Sequence, residues 1–209
     1  MSVDIRTIDP RAPEPSLIAA CAEEVLRGGC VAFPTDTFYG LGCCLMDGSA
    51  VENVRRLKGR STDIGFVSLI SDPRAVEALA LEIPDAAHHL MRQFWPGPLT
   101  LVFRASPLIP EPSRGPEETV ALRYPKHEIC NQLVAAAGGP LIATSANRTG
   151  QPPAKTAAEV AEMFGNQLAM VLDGGAAAAD RPSTLVDVTS GAPVLLRPGV
   201  IDVGEIRLG

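Results

Sequence analysis

Short apolar segments alternate with helical segments along the whole chain, and glycine or proline separates most of them. Apolar residues at helical spacing run over 16–26, Gly28 and Gly29 end that helix, and an apolar strand follows at 30–34. The alternation predicts one α/β domain with helices flanking a twisted, largely mixed sheet. Further helices are predicted from Ser49, at 84–94, at 129–137 and from Thr156 to Gly165, and further strands at 66–70, 99–103, 119–123, 141–143, 171–173, 184–188 and 194–197.

Two sequence patterns mark helix starts. Ser49 with Glu52, and Thr156 with Glu159, match the S/T-x-x-E capping box, in which the first residue bonds the backbone of the fourth. Between 105 and 118, prolines and glycines alternate with charged residues, which predicts an exposed loop.

Length and charge limit the class of protein. A chain of 209 residues buries roughly 70% of the surface that its unfolded form exposes, so it needs neither disulfide nor metal to fold. The net charge of −6 argues against a general nucleic-acid coat or a binder of anionic membranes. An anionic ligand must therefore be held by a local group of cations.

No apolar run is long enough to span a membrane, and residues 1–16 lack the basic flank and apolar core of a signal peptide. A cytoplasmic protein without a membrane partner is predicted.

The cysteines are odd in number and show no CxxC spacing, which predicts buried free thiols and no metal site. They are Cys21, Cys30, Cys43, Cys44 and Cys130.

The common nucleotide-binding motifs GxxxxGK[ST] and GxGxxG are absent. The polar segment 34–42 follows a predicted strand, and is either a tight connection to a helix or a binding turn. Lys58 and Arg60 lie at the predicted, exposed end of a helix, where they either complement the helix dipole or clamp a polyphosphate.

Three further groups follow or end predicted strands. Thr144, Ser145 and Asn147 come directly after the strand at 141–143, the place where open α/β sheets bind ligands. They form either an ordinary capped turn or a site that bonds phosphate or ribose. Arg123 and Arg197 each end an apolar strand and need an anionic partner, which is either a protein carboxylate or a substrate.

Seven motifs taken together resemble one family. They are PTDTFYGLG at 34–42, KGR at 58–60, FWPGPLT at 94–100, TVALR at 119–123, SAN at 145–147, RPST at 181–184 and LRPG at 196–199. Their order is that of the YrdC-like threonylcarbamoyl-adenylate synthases. The resemblance covers about 15–206 and implies a single domain over 1–209.

The resemblance implies a concave, positively charged cavity in a fold similar to that of dihydroxybutanone-phosphate synthase. It also implies a nucleotidyltransferase that converts L-threonine, bicarbonate and ATP to threonylcarbamoyl-AMP and pyrophosphate. The product would serve downstream tRNA threonylcarbamoyl-transferase proteins, with direct tRNA binding weak or absent. Mg²⁺ is expected to arrive on ATP rather than in a protein cage.

Site residues are implied by the same resemblance. Lys58 and Arg60 would hold the triphosphate and stabilise charge during the reaction. The positions matched to ATP contacts are Lys58, Arg60, Thr119, Ser145, Asn147 and Arg197. The positions matched to the threonine pocket are Thr35, Arg123, Ala143 and Ser183, with Arg123 pairing the substrate carboxylate.

The chain departs from the family pattern after Arg60. Family members commonly continue with proline and then a second lysine or asparagine, whereas this chain reads STDIGF at 61–66, without a further cation. The chain also matches the short, single-domain type, without the linker that longer members carry. The N-terminal segment or the loop at 176–182 is therefore the predicted lid.

Three alternatives remain. A carbamoyl-adenylate former like the YrdC-like part of hydrogenase-maturation carbamoyltransferases would be far larger. A noncatalytic or differently specific YrdC-like paralogue would bind nucleotide or double-stranded RNA. RNA binding as the main role is disfavoured by 18 Lys and Arg against 24 Asp and Glu.

Overall fold

The computed structural model describes residues 3–61, 64–177, 181–190, 192–202 and 204. Its strands are β1 (Ile5–Thr7), β2 (Val31–Phe33), β3 (Gly40–Cys44), β4 (Val67–Leu69), β5 (Leu99–Arg104), β6 (Thr119–Arg123), β7 (Leu141–Ser145), β8 (Met170–Asp173), β9 (Thr184–Asp187) and β10 (Val194–Arg197). Its α-helices are α1 (Pro15–Leu26), α2 (Gly48–Lys58), α3 (Val76–Leu79), α4 (Asp85–Phe94), α5 (Glu128–Ala136) and α6 (Ala157–Phe164).

Within these described ranges, ten strands form one sheet in the order β1-β8-β2-β3-β7-β4-β6-β5-β9-β10. Parallel pairs such as β4 with β6 stand beside antiparallel pairs such as β3 with β7. The predicted single α/β fold with a mixed sheet is confirmed. The predicted domain limits of 1–209 stay a prediction.

Helices cover both faces of the sheet. On one face, α1 and α5 pack through Ile18, Val25 and Leu133 against Phe33 and Leu141. On the other, α2, α4 and α6 share a core that includes the buried faces of β3, β5 and β6. No helix in the described part of the chain is long and apolar enough to cross a lipid bilayer.

The start of α2 differs from the prediction. The N-cap is Asp47, whose Oδ1 accepts from the backbone N–H groups of Ser49 and Ala50 at 3.0 and 3.1 Å. The predicted capping box of Ser49 and Glu52 was wrong, because the Asp47 carboxylate accepts from the first backbone N–H groups of the helix. The Ser49 hydroxyl also donates to this carboxylate.

The cap of α6 is confirmed. Thr156 Oγ1 accepts from the Glu159 backbone N–H at 3.2 Å. The carboxylate of Glu159 accepts from Lys155 N at 2.6 Å, which ties the preceding residue to the helix start.

The segment at 34–42 is a hairpin that continues into a strand, so its interpretation as a strand-to-helix connection was wrong. β3 pairs antiparallel with β2, and Gly42 lies opposite Val31. A Cβ atom on Gly42 would lie 2.5 Å from the Phe33 ring, so this strand accepts no side chain there.

The prediction of an exposed loop at 105–118 was wrong in part. Ile109 is fully buried in the core, and Ser113 donates its hydroxyl proton to Leu45 O at 2.6 Å. This loop is therefore anchored at its middle, because one apolar and one hydroxyl side chain hold it to the body of the protein.

The cysteines are free, and four of the five are buried, while Cys44 is half-buried. Burial raises the pKa of the Cys21 and Cys30 thiols to about 12. Among the described residues, no three His, Cys, Asp or Glu side chains are grouped in a way that could hold a metal ion.

Candidate active site

Alternate residues of neighbouring strands form the floor of two adjoining cavities. In the register of β4 with β6, Val67 lies opposite Ala121 and Leu69 opposite Arg123. Because side chains alternate between the faces of a sheet, these four residues share one face. Ala121 in turn lies opposite Val102 of β5, so the floor extends from β4 across β6 to β5.

The first cavity, called here the polar cavity, has a volume of about 400 Å³. All four positions matched to the threonine pocket line it, and so do three of the six matched to ATP. These seven residues are Thr35, Arg60, Arg123, Ala143, Ser145, Ser183 and Arg197. Folding thus gathers segments from six parts of the chain around one space.

The turn after β2 supplies one wall of the polar cavity. Thr35 Oγ1 donates to Phe38 O at 2.7 Å and accepts from Thr37 N at 3.1 Å, which fixes the turn from its own side chain. Asp36 lies between these two threonines.

Arg123 has a protein carboxylate as its partner. Its Nη2 donates to Asp36 Oδ1, and its Nε donates to Gly97 O at 3.1 Å. The two side chains of the ion pair are only 5% and 15% exposed. The sequence left open whether the partner was a protein or a substrate carboxylate, and the protein supplies one while Arg123 still lines the cavity.

Lys58 lies behind the polar cavity. It is 3% exposed, and its Nζ donates to Ser145 O, to Asn147 O at 2.9 Å and to Asn147 Oδ1 at 3.1 Å. The expectation of an exposed helix end was wrong, because the 145–147 turn packs over the last residue of α2. An ammonium has three N–H donors, so these three acceptors occupy all of them.

Burial also changes the ionisation of Lys58. Loss of solvent, and secondarily the charge of Arg60, lowers the pKa of Lys58 to about 7. The three hydrogen bonds to the 145–147 turn therefore do not fully offset the loss of water around the charged ammonium.

Asn147 serves this turn as well. Its Oδ1 accepts from Ser145 Oγ at 2.6 Å, and its Nδ2 donates to Gln151 O at 2.8 Å. The amide thus bonds the protein at both ends, whereas Ser145 lines the polar cavity.

Arg60 lies where the two cavities meet. Its Nη1 donates to Thr144 Oγ1 at 3.2 Å and its Nη2 to Gly65 O at 2.9 Å. Burial, followed by the charges of Arg55 and Arg197, lowers the pKa of Arg60 to about 10. Arg60 remains charged near neutral pH, and an anion placed there would relieve this repulsion.

Arg197 approaches the same junction from the sheet edge. Its Nη2 donates to Ser183 O at 3.0 Å and to Ser183 Oγ at 3.2 Å. Burial and the charge of Arg123 lower the pKa of Arg197. Gly199 allows the chain after Arg197 to lie close to the chain before Ser183, because a Cβ at position 199 would lie 2.4 Å from Pro182 O.

The second cavity, called here the apolar cavity, has a volume of about 380 Å³ and adjoins the first at Arg60, Val67 and Arg197. Its walls are mainly apolar, with the carboxylates of Glu117 and Asp187 added. The apolar residues include Ile64, Phe66, Val102, Ala121, Leu185 and Leu196. Thr119 lines this cavity and not the polar one, and its Oγ1 donates to Pro116 O at 2.6 Å.

The structure describes parts of both predicted lids. Residues 5–7 form β1, which pairs with β8 at one edge of the sheet, and no residue of 3–14 lines either cavity; the N-terminal alternative stays a prediction. The loop at 176–182 lies partly outside the described residues, at 178–180. Pro182, at its end, lines the polar cavity.

Sequence reasoning missed Asp36, Arg55 and Phe66. Asp36 lies within the polar segment singled out at 34–42, but its partner Arg123 is distant in sequence. The only sequence signal for Arg55 was that an arginine outside the seven motifs lies on the side of a helix that is buried, which is unusual for a charged residue.

A family model described as "Telomere recombination", of the Sua5, YciO and YrdC proteins, matches residues 23–199. The chain belongs to this family. It is 41% identical over 190 residues to a threonylcarbamoyl-AMP synthase of Pyrococcus abyssi, which covers 91% of this chain and 56% of the relative. It is 34% identical over 198 residues to a putative threonylcarbamoyl-AMP synthase of Mycobacterium tuberculosis, which covers 95% of this chain and 90% of the relative.

A solved structure is also similar. The crystal structure of Pyrococcus abyssi Sua5 complexed with L-threonine superimposes with a TM-score of 0.92 at 40% identity. The match covers 97% of this chain and 59% of the Sua5 chain. This chain thus spans a little over half the length of the Pyrococcus relatives and nearly all of the mycobacterial one.

Proposed function

We propose that this protein is a threonylcarbamoyl-AMP synthase, a nucleotidyltransferase that uses L-threonine, bicarbonate and ATP and releases pyrophosphate. The observation that carries the proposal is the pair of adjoining cavities with Arg60 and Arg197 at their junction. Two substrates bound side by side would place their reacting groups at these two cations. The names of the relatives support the same activity.

The polar cavity suits the amino acid. Arg123 and Arg197 offer positive charge to its carboxylate, and Thr35 and Ser183 offer hydroxyl groups to its polar atoms. The solved Sua5 structure is complexed with L-threonine, which supports threonine as the amino acid.

The apolar cavity suits the nucleoside. Phe66, Val102 and Leu196 offer apolar contact to a base, and Thr119 with Asp187 offers oxygen atoms to hydroxyl or amino groups. The triphosphate would then cross the junction beside Arg60. Lys58 would act by holding the 145–147 turn rather than by touching phosphate, because its donors are occupied.

Mg²⁺ would enter as part of the ATP substrate. The described walls of the polar cavity supply guanidinium and hydroxyl groups and no carboxylate, and no described group of carboxylates could hold a metal ion. Phosphate oxygens and water are ligands that Mg²⁺ accepts readily, so no dedicated protein cage is needed.

The reaction requires positioning and charge stabilisation. The threonine amine attacks CO₂ derived from bicarbonate and loses a proton, which gives a carbamate. A carbamate oxygen then bonds to the α-phosphorus of ATP, the bond from that phosphorus to the β-phosphate bridge breaks, and pyrophosphate leaves with its electrons. Arg60 and Arg197 would offset charge on the phosphoryl oxygens, and no covalent intermediate with the protein is needed.

The product is a mixed anhydride that loses its carbamoyl group readily. Downstream tRNA threonylcarbamoyl-transferase proteins would consume it, and direct tRNA binding by this chain is weak or absent in this proposal. The net charge of −6 supports that last point.

Release of pyrophosphate from ATP tests the proposed activity. Release that requires both L-threonine and bicarbonate, with threonylcarbamoyl-AMP identified by mass spectrometry, is the expected result. Release without threonine, or tight binding of double-stranded RNA with no release, would instead support a paralogue with another role.

A further inference from the structure

Arg55 is a buried arginine that binds the segment after Arg60. Its side chain leaves the buried side of α2 and is 7% exposed. Its Nη1 donates to Ser61 O at 2.8 Å and to Ile64 O at 3.1 Å, and its Nη2 donates to Pro112 O at 3.4 Å. One guanidinium thus joins α2, the chain beyond the proposed phosphate site and the loop at 105–118.

Arg55 also reaches Arg60 through an aromatic ring. Its guanidinium carbon lies 4.8 Å from the centroid of Phe66, and that of Arg60 lies 4.9 Å from the same centroid. Both distances are within the range of cation–π attraction. Two positively charged side chains therefore pack against the same ring. Phe66 also lines the apolar cavity.

The partners of Arg55 are carbonyl oxygens, with one carboxylate farther away. Glu52 Oε1 lies 3.5 Å from Arg55 Nε, and the Glu52 side chain is 45% exposed. The positive charge of Arg55 is therefore only partly compensated, and it adds to the repulsion that lowers the pKa of Arg60.

We propose that Arg55 is a positioning residue for ATP binding, because it fixes Phe66 and the carbonyls beyond Arg60 and so holds the Arg60 guanidinium at the junction of the two cavities. The inference rests on the proposed function of that junction. It also gives a physical basis for the absent cation after Arg60: a guanidinium from α2 binds the backbone carbonyls of Ser61 and Ile64.

The geometry requires an arginine. A planar guanidinium can donate to two carbonyl groups in its plane while its face lies on a ring, whereas an ammonium is a compact charge without such a plane. Lysine at position 55 would keep the charge and lose the fork, so the two contributions can be separated.

Titration calorimetry with MgATP and, separately, with L-threonine tests the proposal. Arg55→Met is expected to weaken ATP binding about tenfold, which is about 1.4 kcal/mol, and to leave threonine binding within about twofold. Arg55→Lys is expected to weaken ATP binding similarly. Arg56→Met, at the exposed neighbouring position on α2, is the matched control and is expected to bind both ligands as the wild type does.

Action through Arg60 predicts non-additivity. The double variant Arg55→Met/Arg60→Met is expected to bind ATP no more weakly than Arg60→Met alone, because two residues that act as one unit lose their effect together. Phe66→Leu keeps both arginines and removes the ring, and a several-fold loss of ATP affinity is expected. Because Phe66 also lines the apolar cavity, Arg55→Lys and not Phe66→Leu gives the test its second route if Arg55→Met fails to fold.

Several outcomes would overturn the inference. Wild-type ATP affinity in Arg55→Met or in Phe66→Leu, full rescue by Arg55→Lys, or an additive loss in the double variant would each do so while leaving the proposed function intact. Absence of ATP binding by the wild type would overturn the proposed function and this inference with it.

Discussion

Replacement of Arg123 by leucine is expected to damage both stability and threonine binding. The side chain bonds Asp36 and Gly97 O, so it joins the turn after β2 to the segment before β5. It also lines the polar cavity, where the proposed function gives it the substrate carboxylate. One substitution therefore removes a structural ion pair and a ligand contact.

The stability change follows from burial. Leucine leaves the Asp36 carboxylate, with 15% of its side chain exposed, without its counter-ion. Removal of one partner from a buried pair costs about 3–5 kcal/mol, and the residual solvent contact of Asp36 favours the lower value. For a chain of this size, about 3 kcal/mol lowers Tm by about 6–12 °C.

A second substitution separates the two effects. Asp36→Leu/Arg123→Leu removes both charges, and is expected to regain most of the lost stability because no uncompensated charge stays buried. Threonine affinity is expected to stay about 10- to 100-fold below that of the wild type, since a charged hydrogen bond contributes about 1.5–3 kcal/mol.

Calorimetric threonine titration and thermal denaturation of the two variants measure these changes. Arg92→Leu, which removes an exposed arginine on α4, is the control for loss of one positive charge. Wild-type threonine affinity in the double variant would show that Arg123 serves only the ion pair, and an unchanged Tm in Arg123→Leu would contradict the burial argument.

Three further substitutions address the nucleotide side. Arg60→Ala is expected to lower turnover at least tenfold with little change in Tm, and near-normal synthesis of threonylcarbamoyl-AMP would contradict its role. The pKa of Lys58 falls from its ordinary 10.5 to about 7 on folding, so the unfolded chain binds more protons than the folded one between these pH values. The free energy of unfolding of the wild type, relative to that of Lys58→Met, should therefore rise from pH 7 to pH 10. Urea denaturation of both proteins at both pH values measures this difference, and an equal change in their free energies of unfolding would contradict the argument. Ile64 is 46% exposed and lines the apolar cavity. Ile64→Lys should tighten ATP binding a few-fold at low salt and lose this gain at high salt. Unchanged ATP affinity at every salt concentration would mean that a charge at this position does not interact with the phosphates.

Local pattern predicted the elements with clear apolar periodicity. β6 has the predicted limits of 119–123, and α4 and β5 differ from theirs by one residue. β3 was missed because its core position depends on Phe33, which fills the space above Gly42 from the neighbouring strand. A glycine-rich strand of this kind is recognised by its partner and not by its own sequence.

The site was predictable where motifs named residues, and not where distant segments meet. Seven of the ten predicted positions line the polar cavity, while their roles toward ATP and threonine stay predictions. The burial of Lys58 under the 145–147 turn and the pairing of Arg123 with Asp36 each join residues more than 80 positions apart. Charge and spacing in the sequence carry no information on such contacts.

A crystal structure with L-threonine and a non-hydrolysable ATP analogue bound would show whether the two cavities hold the two substrates as proposed. The expected complex has threonine in the polar cavity with its carboxylate at Arg123 or Arg197, the base against Phe66 in the apolar cavity, and the α-phosphate beside Arg60. A nucleoside beside Thr35 and Arg123, or an amino acid bound outside the polar cavity, would contradict the proposed function.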